Sequence, residues 1–242
     1  MPTHPFLGFS EPFSSLSHFL GAGLCAVFSI PLWRSARGHF AHRLAIGIFC
    51  FASMLLLSMS GVYHLLPAGS AGKAVLQRLD HAAIFVLIAG TFTPLHAILF
   101  RGALRWIPLA LIWTIAVAGI ILKTAFFSQI PEFISIGTYL GMGWLGAFSG
   151  ILIYWRWGFN VVLPLFEGAM VYTIGSIFEF LKQPVIISGV LGPHELFHVT
   201  VLFGIAYHWK FVHHIALSSD RTGGSHFLLS APLSTGSKNS KR

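Results

Sequence analysis

Runs of about twenty mostly apolar residues recur along the whole chain, and this recurrence limits the possible folds more than any other feature. A helix that crosses the hydrocarbon core of a bilayer needs about 20 such residues. Seven stretches qualify: residues 17–33, 42–65, 79–100, 104–123, 133–154, 161–180 and 192–212. The connections between them are short and hold the turn and charge signals, as in 34–43, 67–78, 101–103, 124–132 and 156–160. The sequence therefore predicts an all-α fold, a polytopic membrane helix bundle with seven transmembrane helices over residues 1–217. Residues 218–242 are rich in Ser, Gly and Lys with few apolar residues, which predicts a disordered C-terminal tail.

Composition agrees and excludes other classes. Only 9% of the 242 residues are charged while 55% are hydrophobic, whereas soluble domains carry about a quarter charged residues. No separate soluble module is expected. The formal net charge is +8, but the basic residues lie between or after the apolar runs. That is the distribution of orientation signals, and no nucleic-acid partner is read from it. Cys25 and Cys50 sit inside apolar runs as small hydrophobes, and no disulfide is expected. The first residues lack a charged region ahead of an apolar run and an A-x-A site, so no cleaved signal peptide is expected.

Lysine and arginine set the orientation. Lys73, Arg78, Lys123 and Lys182 fall on the face where the N-terminus lies; Arg34, Arg37, Arg43, Arg101, Arg105, Arg156, Lys210 and the tail bases fall on the other, four against eleven. This places the N-terminus outside and the C-terminus in the cytoplasm of a plasma (inner) membrane. In the fifth run Gly137, Gly141, Gly143, Gly146 and Gly150 have the small-xxx-small spacing that lets helix backbones approach closely. Pro94 and Pro164 fall inside runs three and six, where a kink is expected.

Ionisable residues inside apolar runs are costly and mark functional sites. His64 ends the second run, Asp80 opens the third, and His194 and His198 open the seventh. An odd-numbered span starts on the face where an even-numbered span ends, so all four share one membrane face at shallow depth. His194 and His198, at i and i+4, share a helix face about 6 Å apart along the axis. Two imidazoles from one helix and a third from another make the three-ligand site of a catalytic zinc, with the fourth position left for water. Asp80 is placed to orient a ligand or take a proton from that water. Ser60, four residues before His64, is placed to donate a hydrogen bond to a developing oxyanion. His18, His81, His96 and His208 fit packed, hydrogen-bonded roles, and His208 lies about 15 Å from His198 at helical rise, toward the other face. In the sixth run Glu167 lies nearer the cytoplasmic face, where it could pair with a neighbour, and Glu179 lies near the proposed site but could reach the interface. The HExxH pattern of residues 194–198 also offers Glu195 as a peptidase-style base.

Taken in order, "SGVYH" (60–64), "LDHAAIFVLIAGTFTP" (79–94), "GTYLGMGW" (137–144), "VYTIGSIFEF" (171–180) and "HELFHVTVLFG" (194–204) resemble the hemolysin III family and its wider relatives, the progestin and adipoQ receptors. The resemblance implies a seven-span zinc protein, with Ser60 and His64 as its SxxxH motif, Asp80 as its third-span aspartate and His194 and His198 as its HxxxH motif. In that family the position of Glu195 also holds residues that cannot act as a base, which argues against the peptidase role. The wider superfamily includes alkaline ceramidases, which implies metal-assisted hydrolysis of a lipid amide or ester. A membrane lipid, with a long acyl chain as substrate or as free fatty acid, is the implied partner. The alternative is a lipid-sensing receptor or regulatory membrane protein in which zinc is structural. At three places the chain departs from the family. The family's N-terminal asparagine and Thr-His pair are matched only by Ser14 or Ser15 and by Ser17-His18, Glu179 stands where a tyrosine is common, and Glu167-Gly168-Ala169 replaces the usual glycine pair.

Overall fold

A computed structural model describes residues 10–36 and 40–221. Eight helices follow in order: α1 (Pro12–Ser35), α2 (Phe40–Leu65), α3 (Ala71–Leu99), α4 (Ala103–Ala125), α5 (Glu132–Trp144), α6 (Gly146–Trp157), α7 (Phe159–Leu181) and α8 (Pro193–Arg221). No strand occurs among the described residues; a single antiparallel bridge joins Ile187 and Leu191 in the α7–α8 connection. α5 and α6 together form one span, Glu132–Trp157, so the eight helices make seven crossings. Six of these spans are long and apolar enough to cross a bilayer. α8 has 29 residues, ample length at 1.5 Å per residue, but its histidines, Glu195 and Lys210 dilute its hydropathy.

Helices outrun their apolar cores where capping allows it. α3 starts at Ala71, well before residue 79, because the Ser70 hydroxyl accepts from the Lys73 amide at 3.2 Å and satisfies one of the first-turn donors. α1 starts at Pro12, where a missing N–H costs nothing. α8 runs on through Ser218 to Arg221, into the segment expected to be tail; residues 222–242, and Arg37, lie outside the described residues. α3 and α7 continue through Pro94 and Pro164 as single helices.

Sequence neighbours pack as neighbours, α1 on α2, α2 on α3, α3 on α4 and α7 on α8, while α8 also packs on α1 and α3 and closes the bundle. Phe49, Leu99, Phe211, Val212 and Ile215 form one fully covered core, and Cys25, Leu57, Leu87, Val201 and Ile205 form a second nearer the site face. The outer surface carries Leu20, Val27, Phe40, Trp106, Ile107 and Trp155, all mostly exposed. A continuous apolar exterior of this kind is stable only against lipid.

The glycine spacing of the fifth span does not do what it predicts. A Cβ added at Gly137, Gly141 or Gly143 would meet nothing within 4 Å; only Gly146, against the Phe92 ring, and Gly150, against Val162, touch another helix. Spacing identifies a smooth face but not what lies opposite it. Here the glycines of Gly141-Met142-Gly143 lower helix propensity just where the span breaks at Leu145. Close helix approach occurs instead at Gly90 on Ala52, Gly175 on Thr200 and Gly204 on Tyr172. Polar contacts that tie α5 to its neighbours include Tyr139 Oη to the His81 carbonyl at 3.1 Å and Trp144 Nε1 to Thr173 Oγ1 at 3.1 Å. α5 touches α7 and α3 and forms one wall of a large cavity.

The basic residues also sort differently from a simple count. Lys73 pairs with Glu11 at 2.6 Å, and Lys182 pairs with both Glu132 and Glu179 at 2.6 and 2.7 Å. Lys123 is no connection residue: it is buried, 5% exposed, on the cavity wall. On the opposite face Arg43 lies over the Trp33 ring and Arg156 over Trp157, as interfacial side chains do.

Candidate metal centre

The last turn of α2 and the first two turns of α8 meet at one end of the bundle. His64 Nε2 lies 3.4 Å from His194 Nε2, and His194 Nε2 lies 3.0 Å from His198 Nε2. Ligand atoms of the three residues all fall within 4.8 Å of one another, so the three histidines can hold a metal ion. His64 and His198 are 1% and 3% exposed. The His194 side chain is 39% exposed and opens on the cavity.

Two carboxylates fix the rings from behind. His64 Nδ1 lies 2.5 Å from Glu11 Oε2, and His194 Nδ1 lies 3.3 Å from Glu179 Oε2. An ionised carboxylate only accepts, so each Nδ1 carries the proton. In the neutral rings both Nε2 atoms then present lone pairs to the same point, 3.4 Å apart with no proton between them. A cation at that point removes the repulsion, and carboxylate-backed imidazoles are the usual surroundings of such an ion. The residues present fit a metal. His198 differs: its Nδ1 is buried without a hydrogen-bond partner among the described residues, and its ring stacks on His18 with centroids 4.0 Å apart.

Glu11, one of seven acids in the chain, carries no local sign of a site role in the sequence. It precedes the first apolar run, and nothing local ties it to residue 64. The chain entry places it: the Glu11 amide donates to the His64 carbonyl at 3.1 Å, and Ser15 Oγ donates to the Gly61 carbonyl at 2.8 Å. Burial works to raise the Glu11 pKa, but the His64 ring and the Lys73 ammonium outweigh it and hold the carboxyl at about 2. Glu179 belongs to the site as the partner of His194, and Lys182 ties it to Glu132. Burial tends to lower the Lys182 pKa; the two carboxylates more than compensate and raise it.

Glu195 faces another task. Its Oε2 accepts from the Gly192 amide at 2.9 Å, capping the helix that carries the ligands. Glu167 lies off the cavity wall, with Oε2 buried and unpartnered among the described residues.

Asp80 and Ser60 stand beside the histidines on the cavity wall. Their side chains interact with each other; Ser60 is 2% exposed and the Asp80 side chain 13%. Asp80 is outside the group of converging ligand atoms. Of the histidines expected to be packed and hydrogen-bonded, His96 is held by Ser149 at 3.0 Å and the Leu104 carbonyl at 2.9 Å, and His81 by the Gln77 carbonyl at 2.8 Å. His18 departs from that expectation: both its nitrogens are buried without a partner among the described residues, and its ring stacks flat on His198. His208 stacks on Tyr172, far along the cavity from the cluster.

The cavity has a volume of about 930 Å³. Ser60, Asp80, His194 and His198 line its end at the site face, and apolar side chains such as Ile88, Leu95 and Val162 line its depth. Concave, largely apolar space with a few converging polar groups is the usual form of a small-molecule site.

Residues 7–209 match the family described as Haemolysin-III related. Among similar proteins, "Hemolysin-3" of Bacillus cereus is 34% identical over 195 residues, covering 76% of this chain and 83% of that protein. "Hemolysin-3 homolog" of Bacillus subtilis is 35% identical over 156 residues, covering 64% and 69%. "Heptahelical transmembrane protein 4" of Arabidopsis thaliana is 26% identical over 179 residues, covering 67% and 46%.

Proposed function

The chain belongs to the haemolysin-III related family of membrane proteins, and from that footing we propose that it is an integral-membrane zinc hydrolase acting on the amide or ester of a long-chain lipid. The observation that carries the reading is the convergence of three imidazole Nε2 atoms at the polar end of an apolar cavity. A tetrahedral zinc with Zn–N distances of about 2.0–2.1 Å sets its nitrogens about 3.3 Å apart. The spacings of 3.4 and 3.0 Å bracket that value.

His64, His194 and His198 would hold the ion, with Glu11 and Glu179 fixing the first two rings. A bound zinc supplies Lewis acidity toward a water molecule and a scissile carbonyl. Asp80 accepts the proton of the attacking water, and Ser60 Oγ donates to the oxygen that gains negative charge. The apolar depth of the cavity takes the acyl chain and keeps bulk water from it. Protein loaded with zinc and reconstituted in bilayers should release free fatty acid from a long-chain lipid amide; absence of product with both amide and ester substrates would leave the hydrolase reading without support.

A second reading, a lipid-sensing membrane protein with a structural zinc, is favoured by the burial of His64 and His198. The exposure of His194 toward the cavity favours chemistry, because it leaves an approach to the ion.

In either reading the site lies on the outer face of a plasma (inner) membrane. Three of the four basic residues on the site face are ion-paired or buried, which sharpens the charge asymmetry that sets orientation. A reporter fused after Arg242 should be active in the cytoplasm and one fused ahead of Met1 on the outer side. The reverse pattern would move the site to the cytoplasmic leaflet.

A further inference from the structure

One charged side chain on the cavity wall has no role in the scheme above. Lys123 lies in the last turn of α4 and is 5% exposed. α4 ends on the membrane face where α2 ends and α8 begins, so Lys123 enters the same cavity at the same end as the histidines. Its Nζ sits 4.4 Å from the centroid of the Phe127 ring. The other side of the contact is built by His81, whose ring meets Phe127 edge-on with centroids 5.2 Å apart.

Among the described residues no carboxylate lies within ion-pair distance of Lys123. The acid that comes nearest to serving it, Glu132, is held by Lys182 at 2.6 Å. Asp80 is engaged with Ser60 and His81. Arg78 adds positive charge nearby, donating to the Thr124 carbonyl at 3.4 Å. The helix C-terminus lessens the cost of a cation there, but it supplies no counter-charge. A lysine that merely anchors a span extends its ammonium to the interface; this one is covered and lines the cavity instead. An ammonium withdrawn from water without a partner is costly, and a ligand anion entering the cavity would remove that cost.

We infer that Lys123 is the anion-recognition residue of the cavity, binding the carboxylate or phosphate headgroup of an acidic long-chain amphiphile beside, and separately from, the metal centre. The inference rests on the cavity being a lipid site but not on hydrolysis. The apolar wall accepts the chain, the cation–π pair with Phe127 keeps the ammonium in place, and the headgroup supplies the missing charge.

The test is binding, without turnover, by protein in uncharged detergent, probed with a fluorescent long-chain fatty acid. Unlabelled fatty acid, the fatty alcohol of equal chain length and a lysophosphatidic acid serve as competitors. The acids should bind about 10- to 100-fold more tightly than the alcohol, the scale of one charge-assisted hydrogen bond. Lys123→Gln should remove that preference and leave alcohol binding unchanged, and Lys123→Arg should keep it. Metal content and elution volume matching the parent protein show that the variants are folded. Lysophosphatidic acid outcompeting fatty acid would identify a lipid phosphate as the natural group, and the opposite order a free fatty acid. A preference for acids that persists in Lys123→Gln would assign it to the metal and overturn the inference. Equal binding of acid and alcohol by the parent protein would overturn it too, while no binding of either would remove the lipid reading of the cavity together with it.

Discussion

Purified protein is expected to carry about one zinc per chain, the content of a single three-ligand site, and His198→Ala to lose nearly all of it. His198 is closely surrounded. It is 3% exposed and lies between His194 at 3.0 Å and the stacked ring of His18 at 4.0 Å. Alanine removes one of the three converging imidazoles and leaves a hole beside the His18 ring. His64→Ala and His194→Ala should also lose metal, in graded fashion, since two remaining imidazoles still bind weakly. Glu11→Gln should cost less, about 10- to 100-fold in affinity, because it leaves the ligand and removes only the group that orients it. Chelator-stripped parent protein is the control for folding: a variant that elutes like it has lost a ligand, not its structure. Full zinc content in all three single alanine variants would sink the assignment of the site.

The clustering of His64, His194 and His198 was legible in the sequence because its signals are local. The i, i+4 spacing puts His194 and His198 on one helix face, and alternation of span direction brings His64 to the same side of the membrane. The residues behind the ligands were not legible, because their partners are distant in sequence. Glu11 reaches His64 only through the backbone hydrogen bonds that return the chain entry to the end of α2. Glu179 reaches His194 only because α7 and α8 lie side by side. Hydropathy located the spans well but not the helix ends, since it reports where lipid begins; Ser70 decides where α3 begins. The glycine run misled for a related reason. Spacing describes one helix, whereas packing depends on what faces it, and α5 faces a cavity. Lys123 shows the same limit: a base near a span end reads as an orientation signal until the fold reveals it to be covered.

The second large effect is expected at Asp80, and it separates chemistry from bracing. The carboxylate lies on the cavity wall beside the cluster without being one of its converging ligands. Asp80→Asn keeps the size of the side chain and its hydrogen-bonding capacity but removes the base. If the ion only braces α2 against α8, the substitution should change neither zinc content nor lipid turnover. If Asp80 takes a proton from the attacking water, zinc content should stay the same while turnover falls by about 100-fold or more, the usual scale for losing an acid–base group. Ser60→Ala is the graded companion. It removes one hydroxyl donor, so the expected loss is about tenfold, the scale of one neutral hydrogen bond, again with zinc retained. The order of the two effects matters as much as their size. A larger loss from Ser60→Ala than from Asp80→Asn would mean that the hydroxyl, and not the carboxylate, meets the reacting group. Unchanged turnover in both variants, measured on a lipid amide that the zinc-loaded parent protein cleaves, would take the chemistry away from this wall of the cavity.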